Sequence, residues 1–194
     1  MKKRDTAQTP SSDQLEQELN RERYKQRYRR TLRSTVYALI TVAAAAVLVA
    51  TLWMPVLQIY GSSMNPTLRE GEIVLSVKAN RFEVGDVVAF YHGNRLLVKR
   101  YIAGPGSWVN ITGDGTVYVD DVALDEPYLE TKALGICDIE MPYQVPEDRY
   151  FFLGDDRETS VDSRSTSVGC VSEENIVGKI VFRVWPLETF GTVE

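Results

Sequence analysis

The sequence predicts a mainly β protein, an antiparallel β domain preceded by a single N-terminal transmembrane helix. Three observations carry that expectation. No side chain is charged between Arg33 and Arg69, and the stretch from 34 to 56, STVYALITVAAAAVLVATLWMPV, is apolar over about 20 residues, enough to cross the ~30 Å hydrocarbon core of a bilayer. From Val56 onward the pattern changes to short apolar or alternating runs, which read as strands. Gly, Pro, Asp and Asn punctuate those runs as turns and hairpins do.

The first 33 residues are expected to form a basic, helical, cytoplasmic segment. Ser11 and Gln14 suggest a capping box, and Leu15 and Leu19 recur at helical spacing. Residues 1–34 carry a formal charge of +5 within a chain whose net charge is −5, so the remainder carries −10. Arg27, Arg29, Arg30 and Arg33 flank one end of the apolar run and Trp53 the other. Such flanks anchor a span at the two interfaces, and the basic flank predicts a cytoplasmic N-terminus. A cleaved signal peptide is the competing reading, but its basic region would exceed thirty residues and its apolar core would be longer than the usual ~7–15. The span is therefore assigned to residues 34–55 and an extracytoplasmic domain to 56–194.

Within that domain the expected strands are EIVLSVKA, DVVAFY, RLLVKRYIA, SWVNI, TVYVDDVAL, RYFFLG and GKIVFRVW, with TGDG and AGPG as hairpin or loop connections. The chain has room for one good core and hardly two. Cys137 and Cys170 both fall in the exported part, where a bridge is chemically allowed and a buried free thiol equally so. Two cysteines without companion histidines make no common zinc site. No metal, cofactor or nucleic acid is expected.

His92 is the only histidine. A Ser-His-Asp triad would have to use it, yet it lies in FYHGNR, a strand-to-strand turn where an exposed histidine is ordinary. A serine nucleophile would need another base. A lysine can serve when burial removes enough hydration from its ammonium, and Lys99, set among Leu96, Leu97, Val98, Tyr101 and Ile102, is the candidate. Taken alone, Lys99 reads more simply as an edge-strand lysine that discourages aggregation. Ser63, in SSMNPT, reads alone as a turn serine.

The segments GSSMNPTL, GDVVAF, LVKRYIAGPGSWV and GDDRETSVDSR, in this order behind an N-terminal anchor, resemble the bacterial type I signal peptidases over most of residues 36–187. The family's S-M-x-P-T motif lands on residues 63–67, and its lysine-arginine pair ahead of a P-G turn lands on Lys99. The resemblance implies a serine-lysine dyad, Ser63 as nucleophile and Lys99 as general base, removing signal peptides from exported preproteins after small residues. It further implies that Ser160 orients the Lys99 amine, that Asp162 and Arg164 hold their loop by a charge-assisted pair, and that the Ser63 backbone N–H stabilises the oxyanion. Some members add a serine hydroxyl two residues before the nucleophile; this chain has Gly61 there, as Gram-positive members do. Asp156 stands where many relatives have asparagine, and Ser107 where an acidic residue is common.

From Trp53 to Ser63 the extended chain reaches at most ~33–36 Å, which keeps Ser63 near the outer membrane surface. A substrate whose signal segment is still in the bilayer would present its A-x-A site there and bind as an added strand. Signal-peptide-bearing preproteins, the lipid bilayer and the secretion translocon are the implied partners, in a bacterial cell membrane. A peptidase dedicated to a pilin or one secretion system, and a catalytically silent anchored assembly factor, are the alternatives.

Overall fold

The computed structural model describes residues 12–79 and 81–193. The chain divides into two units at Ala50. One continuous helix, α1, spans Ser12–Trp53. Forty-two residues rich in Glu, Gln, Arg, Leu and Ala, with no Gly or Pro to interrupt them, favour a long helix, here about 63 Å. The next proline after the helix begins, Pro55, follows its last turn. The basic segment and the apolar run are thus parts of one helix. The stretch Glu16–Leu48 contains a window long and apolar enough to cross a membrane, none of it buried in protein. Leu39, Ile40, Val42, Val47 and Leu48 are all exposed. Of the suggested capping pair, Ser11 lies outside the described residues and Gln14 falls in the first turn of the helix.

The rest is antiparallel β structure. Its strands are β1 (Val56–Gln58), β2 (Ile73–Val77), β3 (Val87–His92), β4 (Arg95–Ala103), β5 (Trp108–Ile111), β6 (Val117–Val119), β7 (Val122–Ala123), β8 (Tyr143–Gln144), β9 (Arg149–Leu153), β10 (Val171–Ser172), β11 (Ile176–Trp185) and β12 (Gly191–Thr192). The larger sheet runs β1-β2-β11-β3-β4-β9-β10, with β12 beside β11; the smaller runs β7-β6-β5-β8. TGDG closes the β5–β6 hairpin, whereas AGPG carries the chain from the larger sheet to the smaller.

One expected strand divides in two. TVYVDDVAL folds back at Asp120 and Asp121, which take φ of 51° and 66° and leave Val119 facing Val122. A two-residue hairpin turn of this hand needs positive φ at both central positions, which aspartate tolerates better than bulky residues do.

Three apolar clusters hold the domain. Ile102, Val109, Val117, Phe151 and Leu153 join the two sheets. Val88, Phe90, Tyr101, Phe152 and Val171 form a second cluster. The third collects Ile59, Met64 and Leu68 with Val74, Val87, Ala89 and Ile180. Strand β3 feeds two of them, Val87 and Ala89 on one face and Val88 and Phe90 on the other, as its period of two requires. A strand buried on both faces belongs in the middle of a sheet, and β3 lies between β11 and β4.

Candidate active site

The loop between β1 and β2 carries Ser63. Its neck is closed by Ile59 N–H donating to the Glu72 carbonyl at 2.8 Å and Gly71 N–H donating to the Ile59 carbonyl at 2.9 Å. Inside the loop, Asn65 N–H donates to the Ser62 carbonyl and Leu68 N–H to the Met64 carbonyl. Met64 and Leu68 are buried to 2% and 0% exposure, each worth about 1.5–3 kcal/mol of apolar burial. These two side chains pin the loop to the core and leave Asn65, Pro66 and Thr67 half-buried between them. Ser63 sits just ahead of the first anchor, half-buried.

Strand β4 brings Lys99 to it. The Nζ donates to Ser63 Oγ at 2.5 Å. β4 pairs with β3 on one side and β9 on the other, and Lys99 is in register with Val88. Residues 95–99 have a strand neighbour on one side only, but an edge lysine that deters aggregation must be exposed, and Lys99 is buried. Lys99 is 3% exposed, and burial pulls its pKa down from 10.5 to about 8, against the opposing charges of Asp162, Asp155 and Asp156. Asp155 and Asp162 act only from a distance, because each is already engaged by an arginine through two hydrogen bonds.

The loop after β9 supplies those carboxylates. Asp162 accepts from Arg164 Nε at 2.8 Å and Nη2 at 2.7 Å, and from Gly154 N–H at 2.9 Å. Arg164 also donates to the Leu134 and Arg157 carbonyls, so the pair expected to hold the loop is present and fully buried. The Asp156 N–H donates to the Ser63 carbonyl at 3.1 Å, docking this loop on the loop of Ser63. Gly154 lies at the crossing: a Cβ there would meet the Ser160 hydroxyl and come within 2.5 Å of the Ser63 carbonyl. Only glycine permits so close a passage. Ser160 is fully buried with its hydroxyl unpartnered, so it stands beside Gly154 without bonding the Lys99 amine. Asp156 is half-buried, and its carboxylate accepts from Thr159 N–H at 3.2 Å.

The sequence reading missed the support behind Ser63 and Lys99. Arg100, next to Lys99, forks onto Asp155 at 2.9 and 2.7 Å, donates to the Gly85 carbonyl, and lies 3.6 Å above the Tyr128 ring. Thr67 Oγ1 donates to Asp155 Oδ2 at 2.6 Å and accepts from Arg100 Nη2 at 3.1 Å. Arg157 engages Glu126 with both prongs. The available signal was an arginine inside an apolar strand: a buried guanidinium requires a carboxylate partner, and the GDDR segment offered one.

A groove of about 680 Å³ ends at Ser63 and Lys99; Gln58, Tyr60, Leu96 and Val98 are among its lining residues. Among the described residues β1 pairs only with β2, and residues 95–99 of β4 pair only with β3. Each therefore presents a free backbone edge. His92 is exposed at the end of β3 and does not line the groove. Cys137 and Cys170 are both free, and burial pushes the Cys170 thiol up to about 11.

The family described as "Signal peptidase, peptidase S26" matches residues 32–185. Signal peptidase IB of Staphylococcus aureus is 38% identical over 152 residues, covering 68% of this chain and 78% of the relative. The chloroplastic thylakoidal processing peptidase 1 of Arabidopsis thaliana is 36% identical over 143 residues, covering 64% of this chain and 40% of that protein. Among solved structures, a signal peptidase I from Enterococcus faecalis aligns with 53% of this chain and 98% of its own at 28% identity and a TM-score of 0.43.

Proposed function

The chain belongs to the signal peptidase family, peptidase S26, and from that premise we propose that it is a membrane-anchored serine endopeptidase that removes N-terminal signal peptides from exported preproteins, with Ser63 as nucleophile and Lys99 as general base. One observation carries the proposal: a lysine amine 3% exposed, lowered to about 8, within 2.5 Å of a serine hydroxyl. An amine so placed is neutral often enough near neutral pH to accept a proton, which an exposed lysine is not.

The chemistry follows from that contact. Neutral Lys99 takes the Oγ proton as Ser63 attacks the scissile carbonyl, forming a C–O bond and an oxyanion. The Ser63 N–H, preorganised by the pinned loop, is the donor assigned to that oxyanion. Collapse breaks the C–N bond, and the Lys99 ammonium returns its proton to the leaving amine, the new N-terminus of the mature protein. Lys99, neutral again, then takes a proton from water, whose oxygen attacks the ester. Collapse restores Ser63 Oγ–H with the Lys99 proton and releases the signal peptide's carboxylic acid, which loses its proton to solvent. Ser160, whose buried hydroxyl bonds neither the amine nor any other group, is the residue we assign to turn to the amine and orient it during these transfers. Asp162 and Arg164 fix the loop that carries it.

The free edges of β1 and β4 suit an extended substrate that pairs with both while small side chains enter the groove. The apolar helix and the basic residues at its cytoplasmic end support residues 34–55 as the span, 1–33 inside the cell, and 56–194 outside. The intact contact between Ser63 and Lys99 argues against a silent assembly factor. The test is cleavage of a preprotein bearing an A-x-A site by the full chain in liposomes, with the new N-terminus read by mass spectrometry. Cleavage after the small residue supports the proposal; no cleavage of several such preproteins by folded protein rejects it.

A further inference from the structure

Four arginines in the domain lie in buried or nearly buried ion pairs, and one of them breaks the pattern. Arg100, Arg157 and Arg164 each engage their carboxylate through two nitrogens, the geometry in which the guanidinium fork is strongest. Arg183, on β11, does not. Its Nη1 donates to Glu72 Oε1 at 3.0 Å, while its Nη2 turns away to the Thr67 carbonyl at 2.9 Å. Glu72 Oε2 and Arg183 Nε are left buried without partners. A forked pairing would have occupied both, so the observed arrangement gives up one charge-assisted bond to hold a backbone carbonyl.

That carbonyl belongs to the loop of Ser63. Glu72 closes the loop's neck through its own carbonyl, which accepts from Ile59 N–H, and Arg183 joins Glu72 to Thr67 on the far side of Ser63. Thr67 is already fixed through its side chain by Asp155 and Arg100. We propose that Arg183 is a positioning residue that sets Ser63 against Lys99 by bridging the neck and the exit of the nucleophile loop. This rests on Ser63 being the nucleophile. A nucleophile displaced by about 1 Å can lose roughly a hundredfold in rate, and the effect falls on kcat because no residue of this bridge lines the groove.

The experiment measures kcat and KM of the full chain in liposomes on a preprotein with an A-x-A site, for wild type, Arg183→Lys and Glu72→Gln, well below each protein's unfolding temperature. A lysine keeps the charge opposite Glu72 but cannot reach both partners; Glu72→Gln removes the charge yet keeps an amide oxygen for Arg183 Nη1 and leaves the bond to the Thr67 carbonyl, so both ends of the bridge remain. Arg183→Lys should lower kcat by roughly tenfold or more with KM within about twofold, and Glu72→Gln should stay within about threefold of wild type. A merely structural ion pair would lower the unfolding temperature in both variants and leave the kcat of folded protein alone. Arg183→Lys with wild-type kcat, or equal kcat losses in the two variants, overturns the proposal. Should Arg183→Lys not fold, Arg183→Gln combined with Glu72→Gln, which leaves no unpaired buried charge, carries the same expectation. Ser63→Ala, run alongside, separates the two claims: cleavage by that variant defeats the nucleophile assignment itself.

Discussion

Replacing Lys99 by methionine should make the protein more stable at neutral pH while ending its activity. Burial lowers the folded-state pKa of Lys99 from 10.5 to about 8. Below pH 8 the amine is charged in both states, and the folded protein bears the full desolvation cost of a buried ammonium. Between pH 8 and 10.5 the unfolded chain holds a proton that the folded protein lacks, so stability rises with pH by about 1.4 kcal/mol per unit. Above that window the cost is gone. The cost at pH 7 is therefore about 3 kcal/mol, and loss of the hydrogen bond to Ser63 offsets about 1 kcal/mol of the gain. Lys99→Met should be about 2 kcal/mol more stable than wild type at pH 7. The advantage should disappear by about pH 10.5. Urea unfolding of both full-length proteins in the same detergent, followed by tryptophan fluorescence at pH 7, 9 and 10.5, reads this directly, and the other lysines cancel in the difference. A variant less stable than wild type at pH 7, or a difference flat from pH 8 to 10.5, would refute the buried-amine argument.

Cleavage should show a rising limb in kcat/KM centred near pH 8, with about a tenth of the lysine neutral at pH 7; His92→Ala should leave that limb where it is in a rate-against-pH titration. Asp155→Ala takes the carboxylate from the 1% exposed guanidinium of Arg100 and should cost about 3–5 kcal/mol in denaturant unfolding, whereas substitution of exposed Glu158 should cost under about 0.5 kcal/mol. Gly154→Ala forces a methyl against the Ser63 carbonyl and the Ser160 hydroxyl. It should lower kcat at least as strongly as it lowers stability, by about 1–3 kcal/mol, and thermal unfolding beside steady-state kinetics compares the two.

Much of this was written in local patterns. Alternation and turn residues located the longer strands, and the uncharged run located the apolar part of α1. Motif spacing picked out Ser63 and Lys99 although neither stands out alone. What escaped was set by pairings distant in sequence. β1, β8, β10 and β12 have two or three residues each and exist because a neighbouring edge accepts them, so no periodicity announces them. Lys99 reads as an edge residue until its burial and its contact with Ser63 are seen. Arg100 with Asp155, and Arg183 with Glu72 and Thr67, join residues separated by 55 and more than a hundred positions. A buried arginine signals that some carboxylate must be near it but does not say which one. The Asp120-Asp121 turn is different, since its positive-φ pair was locally legible and was passed over inside an apparent strand.

The most direct test of the dyad compares wild type, Ser63→Ala, Lys99→Ala and Lys99→Arg in liposomes on one preprotein with an A-x-A site. The account predicts that all three variants insert and fold but do not cleave, Lys99→Arg included, because a guanidinium stays protonated and cannot accept the Ser63 proton. Substantial cleavage by folded Lys99→Ala or Lys99→Arg would contradict it.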